Sequence, residues 1–491
     1  MANYFSYMLF TIFSLSFIIS SIQGRFLTLM PMHGTLKYSE ISIPPSQAPN
    51  ANTNPSYEHN VEHYSPAPSP SIDDGNASTS NVHENIFDVR SFGATGDGLT
   101  DDTIAFKSAW DAACKVENNA KIVVPKGYSF LLQPLIFTGP CNVGVVFQIE
   151  GSIMAPDGPE SWPKNSSKRQ WIIFYRIHGL TLQGGGLIDG RGEKWWNLPC
   201  KHHKGINGTT MPGPCDSPVA IRFFGSTNLT MRGIKVINSP QFHIRFDVCQ
   251  NVSVDSIIIK SPGNSPNTDG IHVENTNDVM IHNSVISNGD DCISIGAGSH
   301  NLDIKNITCG PSHGISIGSL GIHNSKACVS NITVTNCLIK HSDNGVRIKT
   351  WQGGSGSVSA VTFEAIHMDT VRNPIIIDQY YCLSSNCSNQ TSAISINTIS
   401  YSNIKGTYDP RTPPVRLACS DSVACTNITL SGLELLPAVP TSPVTSQKHK
   451  LQPFCWNAYG SSLGDMTTPP VYCLLEGLPY LDVSGSDIGQ C

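Results

Sequence analysis

Asn277-Asp-Val-Met-Ile281 is followed 24 residues later by Asn301-Leu-Asp-Ile304, and the same signature stands at Asn228-Leu-Thr-Met231, Asn251-Val-Ser-Val254 and Asn331-Ile-Thr-Val334. The steps between these asparagines are 23, 26, 24 and 30 residues. Each signature is a corner residue followed by a short alternating run rich in β-branched side chains, which marks a strand. Further short runs lie between them, at Val236-Ile237, Ser256-Ile-Ile-Ile259 and Cys292-Ile-Ser-Ile-Gly296. No helical period recurs between these strands, which excludes a doubly wound sheet or a (β/α)8 barrel, both of which need a helix for every strand. A leucine-rich horseshoe has a similar period but a fixed Leu pattern that is missing, and a propeller has a longer period with Trp-Asp marks. The fold class is therefore all-β: a right-handed parallel β-helix over residues 86–436.

The flanks differ in character. Ile104-Ala-Phe-Lys-Ser-Ala-Trp-Asp-Ala-Ala-Cys114 carries Ile104, Ala105, Ala109 and Ala112 at helical spacing, with Thr100 or Asp101 as N-cap. Placed ahead of a solenoid, this helix covers the open first coil. Residues 1–24 hold an apolar, uncharged run with Gly24 ahead of Arg25, the pattern of a cleaved secretory signal; an uncleaved anchor is the competing reading. Residues 25–85 are rich in Pro, Ser and Asn without apolar periodicity and read as a disordered extension. Residues 437–491 form a Pro-rich tail carrying Cys455, Cys473 and Cys491, expected to be tied down by disulfides.

Composition agrees with a secreted protein. The 491 residues include 16 cysteines, among them the close pairs Cys200/Cys215, Cys328/Cys337, Cys382/Cys387 and Cys419/Cys425; none forms a Cys-x-x-Cys zinc pattern, so disulfides are the expectation. Ten Asn-x-Ser/Thr sequons occur, at Asn76, Asn165, Asn207, Asn228, Asn251, Asn306, Asn331, Asn386, Asn389 and Asn427. The formal net charge of −6 argues against nucleic acid as partner. With the signal removed, no stable membrane association is expected, and the mature chain is read as a monomer.

The repeat length makes a prediction about chemistry. Asp269 lies 21 residues before Asp290 and 22 before Asp291, His313 lies 22 beyond Asp291, and Arg347 lies 34 beyond His313. Parallel strands are about 4.8 Å apart, so residues one coil apart stack. Three carboxylates, a histidine and two cations are thereby brought to one surface, with Arg347 and Lys349 alternating outward around Ile348. Crowded carboxylates resist joint ionisation, so one keeps a proton while others ionise. That supplies the acid and base of glycoside hydrolysis, with the cations facing an anionic polymer.

Each residue alone has a blander reading. Asp269 and Asp290 fit corner residues, His313 a structural hydrogen bonder, Arg347 and Lys349 solvated edge charges, and Asp291 a calcium ligand without the acidic array that calcium sites show. Tyr381 fits ordinary packing beside Cys382. The basic run Lys201-His-His-Lys204 reads as a solvated loop. The shared coil geometry favours a site for the set.

Asn267-Thr-Asp269, Gly289-Asp-Asp291, His313-Gly314 and Arg347-Ile-Lys349 together resemble the four ordered motifs of polygalacturonases, glycoside hydrolase family 28. Gly186-Leu-Ile-Asp-Gly-Arg-Gly-Glu-Lys-Trp-Trp196, Asn238-Ser-Pro240 and Asp378-Gln-Tyr-Tyr-Cys382 resemble its plant members. The resemblance implies Asp290 as general acid, Asp269 and Asp291 as the water-activating pair with inversion at the anomeric carbon, and His313 as the tuner of the acid. It implies that Arg347, Lys349 and Tyr381 bind galacturonate, that Asn267 supports the site, and that no metal or organic cofactor is used. The implied substrate is pectic polysaccharide in the cell wall. A silent pectin-binding β-helix, a rhamnogalacturonan hydrolase and a calcium-dependent lyase are the competing readings. One position departs from the family pattern: Ser312 stands where glycine usually precedes the histidine, a change expected to perturb a tight turn or narrow the groove. Tyr380 replaces a usual asparagine.

Overall fold

The computed structural model describes residues 85–164, 168–197, 202–204, 210–212, 217–383, 387, 389–438, 451–462, 467–477 and 491. The expected signal sequence, almost all of the 25–85 extension, Cys200, Cys215 and the sequons at Asn76, Asn165, Asn207 and Asn386 lie outside these residues. Among the described residues, no helix is long and apolar enough to cross a membrane.

The chain winds as a right-handed parallel β-helix. Each central coil lays one strand on each of three faces. One face is an eleven-stranded parallel sheet running in chain order from Leu135–Thr138 to Phe454–Trp456. The other two are linked parallel stacks, joined because Lys326–Lys340 and Ser355–Val371 run around the bend between them. The repeat signature is visible as a physical device. Asn228, Asn251, Asp278, Asn301, Asn331 and Asn427 all take positive φ, which Asn and Asp tolerate best among residues with a Cβ. Their amides form a ladder: Asn251 Nδ2 donates to Asn228 Oδ1 at 2.6 Å, Asn301 to Asp278 at 2.9 Å, and Asn331 to Asn301 at 2.9 Å. In the Asn277-Asp278 coil the ladder residue is Asp278, one position later than the sequence pattern suggests. The sequon asparagines Asn228, Asn251, Asn331 and Asn427 are thus exposed corner residues. A second ladder turns the next corner, where Asn283 and Asn306 are also at positive φ and Asn306 Nδ2 donates to Asn283 Oδ1 at 2.7 Å.

Alternation along the strands fills the interior with like-on-like stacks. Ile271, Ile293, Ile315, Val346, Ile375 and Val415 align in register and are buried. Each such side chain contributes roughly 1.5–3 kcal/mol by leaving water. The neighbouring inward row, two residues further along each strand, is aromatic toward the N-terminal end, with Phe137 on Phe174 at 5.1 Å, Phe174 on Phe223 at 5.1 Å and Phe223 on Phe246 at 4.9 Å.

The expected helix closes that end, with two differences. It spans Thr103–Ala113, and its buried face is Ala105, Phe106, Ala109, Trp110 and Ala113, whereas Ile104 points to solvent and Ala112 is only half-buried. Its N-cap is Asp102, not Thr100 or Asp101, and the Asp102 carboxylate instead accepts from the Thr95 and Gly96 amides of the preceding turn. Trp110 packs on Phe137 at 5.0 Å, and Cys114–Cys141 ties the helix end to the neighbouring coil. A second, one-turn helix at Glu193–Trp196 follows Asp189.

The coil stack also continues past residue 436. Phe454–Trp456 pairs with Val415–Ala418, and Ala458–Ser462 pairs with Cys425–Ser431. The tail is covalently held, by Cys455–Cys473 and Cys328–Cys491. Cys328 therefore does not pair with Cys337, which is a buried thiol in the interior of its coil. Cys382–Cys387 and Cys419–Cys425 pair as their closeness suggests, and Cys292–Cys309 joins adjacent coils behind the Gly-Asp-Asp motif.

Candidate active site

The residues singled out by coil spacing gather at the eleven-stranded sheet: Arg347 and Lys349 lie on Asn344–Thr350, and Asp269, Asp290, Asp291 and His313 lie on the turns that lead into Ile271–Glu274, Ile293–Ile295 and Ile315–Leu320. The backbone fixes them first. The Gly270 amide donates to the Asp291 carbonyl at 2.9 Å, the Cys292 amide to the Gly314 carbonyl at 2.8 Å, and the His313 amide to the Asp290 carbonyl at 2.7 Å. Asn288 braces the aspartate pair: its Oδ1 accepts from the Asp290 amide and its Nδ2 donates to the Asp291 carbonyl. Two glycines are required here. A Cβ on Gly289 would lie 2.0 Å from the Ser265 carbonyl oxygen. Gly314, at φ +85°, would place one 2.2 Å from that of Asn344.

The three carboxylates occupy different environments. Asp291 is 1% exposed and clamped: Oδ1 accepts from Arg347 Nη2 and Ser316 Oγ, each at 2.8 Å, and Oδ2 from Lys349 Nζ at 2.8 Å. Asp290 faces His313, Nδ1 to Oδ1 at 3.0 Å, and its Oδ2 accepts from Asn267 Nδ2 at 3.4 Å. Among the described residues, the Asp269 carboxylate accepts one side-chain hydrogen bond, from Ser294 Oγ at 2.7 Å. Its carbonyl accepts from the His243 amide, and His243 Nδ1 lies 3.0 Å from the same oxygen. Burial outweighs the hydrogen bonds to the Asp269, Thr268 and Lys260 backbone and pulls His243 down to about 4, so it is a neutral structural support.

These environments separate the protonation states. Burial, then the charges of Asp290 and Asp291, pushes the Asp269 carboxyl well above the usual carboxylate range. Burial acts upward on Asp290 too, but the His313 charge and hydrogen bond, with Lys349 and Arg347 behind them, hold it well below that range. In the partner, burial disfavours the imidazolium, and Asp290 and then Asp291 overcome it, raising the His313 pKa. Arg347 and Lys349 are held charged against burial chiefly by Asp291. Burial raises the Tyr381 phenol. Its ring lies 5.5 Å from Lys349 Nζ and is held edge-on by Trp351 at 5.3 Å.

Asp290, Asp291 and His313 offer donor atoms within 4.8 Å of one another, close enough for a metal ion. Those atoms are already committed, however. Asp291 accepts from Arg347, Lys349 and Ser316, and His313 Nδ1 faces Asp290. The set is compensated by its own cations.

The structure brings together Asp269, Asp290, Asp291, His313, Arg347, Lys349, Asn267 and Tyr381. It adds Ser294 and Ser316, which single motifs do not reveal. Both stand three residues after a site residue of their own coil, Asp291 and His313, and the strand register aligns them with His272 and Arg347. The coil period carries that signal once the outward row is known. His272 Nδ1 lies 2.8 Å from Ser294 Oγ, extending the contact to Asp269 by one more group. Ser312 does not face the groove. It is 7% exposed, its Oγ accepts from the Gly314 amide at 2.9 Å, and it lies 2.9 Å from Ser342 Oγ. The departure from the family pattern is thus absorbed inside the turn. The Tyr380 amide donates to Asp378 Oδ1 at 3.1 Å on the C-terminal side of the groove.

Comparison with known proteins points the same way. The model of the glycosyl hydrolases family 28 matches residues 114–451, which include every residue of the cluster. A probable polygalacturonase of Arabidopsis thaliana is 43% identical over 403 residues, covering 82% of this chain and 87% of that one. Polygalacturonase-2 of Solanum lycopersicum is 43% identical over 353 residues, covering 72% and 75%. Among solved structures, a hyperthermoactive exopolygalacturonase from Thermotoga maritima superposes with a TM-score of 0.63 at 19% identity, over 81% of this chain and 94% of that one. An endo-xylogalacturonan hydrolase from Aspergillus tubingensis gives 0.62 at 24% identity, over 80% and 99%. At those identities the structures speak for the fold, while the family model and the plant relatives speak for kinship: this chain belongs to glycosyl hydrolase family 28.

Proposed function

We propose that the protein is a polygalacturonase that hydrolyses α-1,4-galacturonosyl links of pectin with inversion. The observation that carries this reading is the division of labour among the carboxylates, with Asp290 paired to His313, Asp291 clamped by Arg347 and Lys349, and Asp269 held toward its protonated form.

Asp290 and His313 titrate as a unit holding one proton. That proton lies toward His313 in the free protein. An entering galacturonate carboxylate adds negative charge beside Asp290, raising its proton affinity and equipping it to protonate the leaving oxygen. Asp269, once ionised, accepts a proton from the attacking water, its raised pKa making it the stronger base, and Asp291 orients that water with it. Arg347 uses Nη2 and Nε on Asp291 and Ser316, which leaves Nη1 to donate; Lys349 uses one of three N–H groups. Those remaining donors would bind a galacturonate carboxylate, with Tyr381 lining the same subsite. Action in the cell wall fits a chain cross-linked by disulfides, which persist in oxidising compartments.

The test is release of reducing ends from polygalacturonate between pH 4 and 6. Wild type releases them and Asp290→Asn does not. No release by wild type would reject hydrolysis in favour of binding alone. Preference for rhamnogalacturonan would reassign the substrate, and an ultraviolet-absorbing unsaturated product would indicate a lyase.

A further inference from the structure

The groove sheet continues N-terminal of the catalytic cluster, and its outer face changes character there. Tyr175 and Phe224, on the adjacent strands Gln170–Tyr175 and Val219–Phe224, lie in register and stack at 5.8 Å with their rings 12° apart. They line a depression of about 460 Å³ with Ile136, Thr138, Ile173 and Arg222. Ile136 is 49% exposed on its floor. Two cations flank the ring pair: Arg222 at 5.0 Å over Phe224 and Arg176 at 5.1 Å over Tyr175. Arg176 is exposed and makes no ion pair among the described residues.

This platform is joined to the catalytic cluster by an unbroken outward track. Asp247 accepts from Arg222 and Arg245, Glu274 from Arg245, and His272 stands beside Glu274 and contacts Ser294, which bonds Asp269. Phe242 stacks on His272 at 4.8 Å. Both acids of the track are paired with cations, so an anionic polymer lying along it meets no uncompensated negative charge. From Ile293–Ile295 the platform strands are three and four strand positions away, roughly 14–19 Å at parallel-strand spacing.

We propose that Tyr175 and Phe224 form a distal sugar subsite. A pyranose ring of the same galacturonan chain stacks its apolar C–H face on the two rings, while Arg176 meets that sugar's carboxylate. Flat aromatic surface with a few charged groups at its margin is the composition of a carbohydrate-sized binding site. The subsite rests on the polygalacturonase reading. It adds that binding on the N-terminal side of the cleaved bond reaches several sugars away, so long chains gain affinity that short ones cannot.

The experiment compares wild type, Phe224→Leu and Arg176→Gln on galacturonate trimer and octamer, with thermal midpoints measured alongside. Leucine keeps the position apolar, so the strand retains its packing while the flat ring is lost. The expected result is a KM for octamer raised about three- to tenfold with kcat kept, and unchanged trimer kinetics. A combined Phe224→Leu/Tyr175→Leu variant should bring octamer and trimer to the same KM. Equal effects on both lengths, or none on either, would overturn the subsite while hydrolysis by wild type leaves the proposed function standing. A wild type inactive on both lengths removes the function, and the subsite falls with it.

Discussion

Asp290 and His313 sit 23 residues apart in sequence yet share a 3.0 Å contact and a backbone hydrogen bond across adjacent coils, each shifting the other's pKa toward the charged form. The stability contribution of the pair has two edges. His313, raised, contributes fully below its unfolded value of about 6.5 and loses that contribution as pH rises through the folded value. Asp290, lowered, contributes fully above about 3.9 and loses it as pH falls through its folded value. The pair is therefore worth most at mildly acidic pH. His313→Gln is expected to lower kcat about 100-fold or more and to flatten the alkaline limb of the pH–rate profile. An unchanged alkaline limb would separate His313 from the acid.

The two serines offer a finer test. Ser294 is the one side-chain donor to Asp269 among the described residues, whereas Ser316 shares Asp291 with Arg347 and Lys349. Removing a hydrogen bond to a charged or ionisable buried group costs about 1.5–3 kcal/mol. Ser294→Ala is expected to lower kcat roughly 10- to 100-fold and shift the acidic limb of the pH profile upward, since Asp269 loses the bond that favours its anion. Ser316→Ala is expected to have a smaller effect, within about tenfold. Equal losses for both would argue that Asp269 has no special role.

How much of this was legible in the sequence depends on which physical rule each feature obeys. The site residues obeyed the coil period, so Asp269, Asp291 and His313 could be stacked by counting. Ser294 and Ser316 obeyed the same period but carry side chains too common to stand out. Asp278 was missed as a ladder residue because Asn277 beside it matches the pattern better, and positive φ is decided by the register of the coil. Cys328 lies close to Cys337 in sequence, whereas its bond to Cys491 depends on where a distant tail returns. The Asp102 cap was missed because its carboxylate serves the Thr95–Gly96 turn, a tertiary demand that local capping rules do not contain.

Trp110 tests the end cap. It is fully buried against Phe137, and Nε1 donates to the Thr138 carbonyl at 3.1 Å. Trp110→Ala should destabilise the protein by about 3–5 kcal/mol. If the helix is a cap and not part of the groove, residual activity per folded molecule at low temperature should match wild type. Calorimetry with active-site-normalised kinetics checks both halves.

Ser312 was the one motif position in conflict with the family pattern, and its hydroxyl proved to be part of the turn beneath His313. Ser312→Gly restores the family residue but removes a buried hydroxyl that accepts from Gly314 and contacts Ser342. The variant is expected to be less stable by about 1 kcal/mol, with kcat within about twofold of wild type. A large gain in kcat would show that serine distorts the turn.

Asp269 provides the clearest conflict between stability and function. It is 6% exposed, receives one side-chain hydrogen bond, and faces Asp290 and Asp291. A carboxyl whose folded pKa is raised binds its proton more tightly in the folded state, so the stability it gives is complete below the unfolded value of about 3.9 and is lost as pH rises. Asp269→Asn keeps the shape and removes the ionisation. At pH 3 the two proteins should melt alike. At pH 6.5 the variant should melt at higher temperature while releasing no reducing ends from polygalacturonate. A variant less stable than wild type at pH 6.5 would mean that the Asp269 anion is held by more than Ser294, and that its role as a strained base must be abandoned.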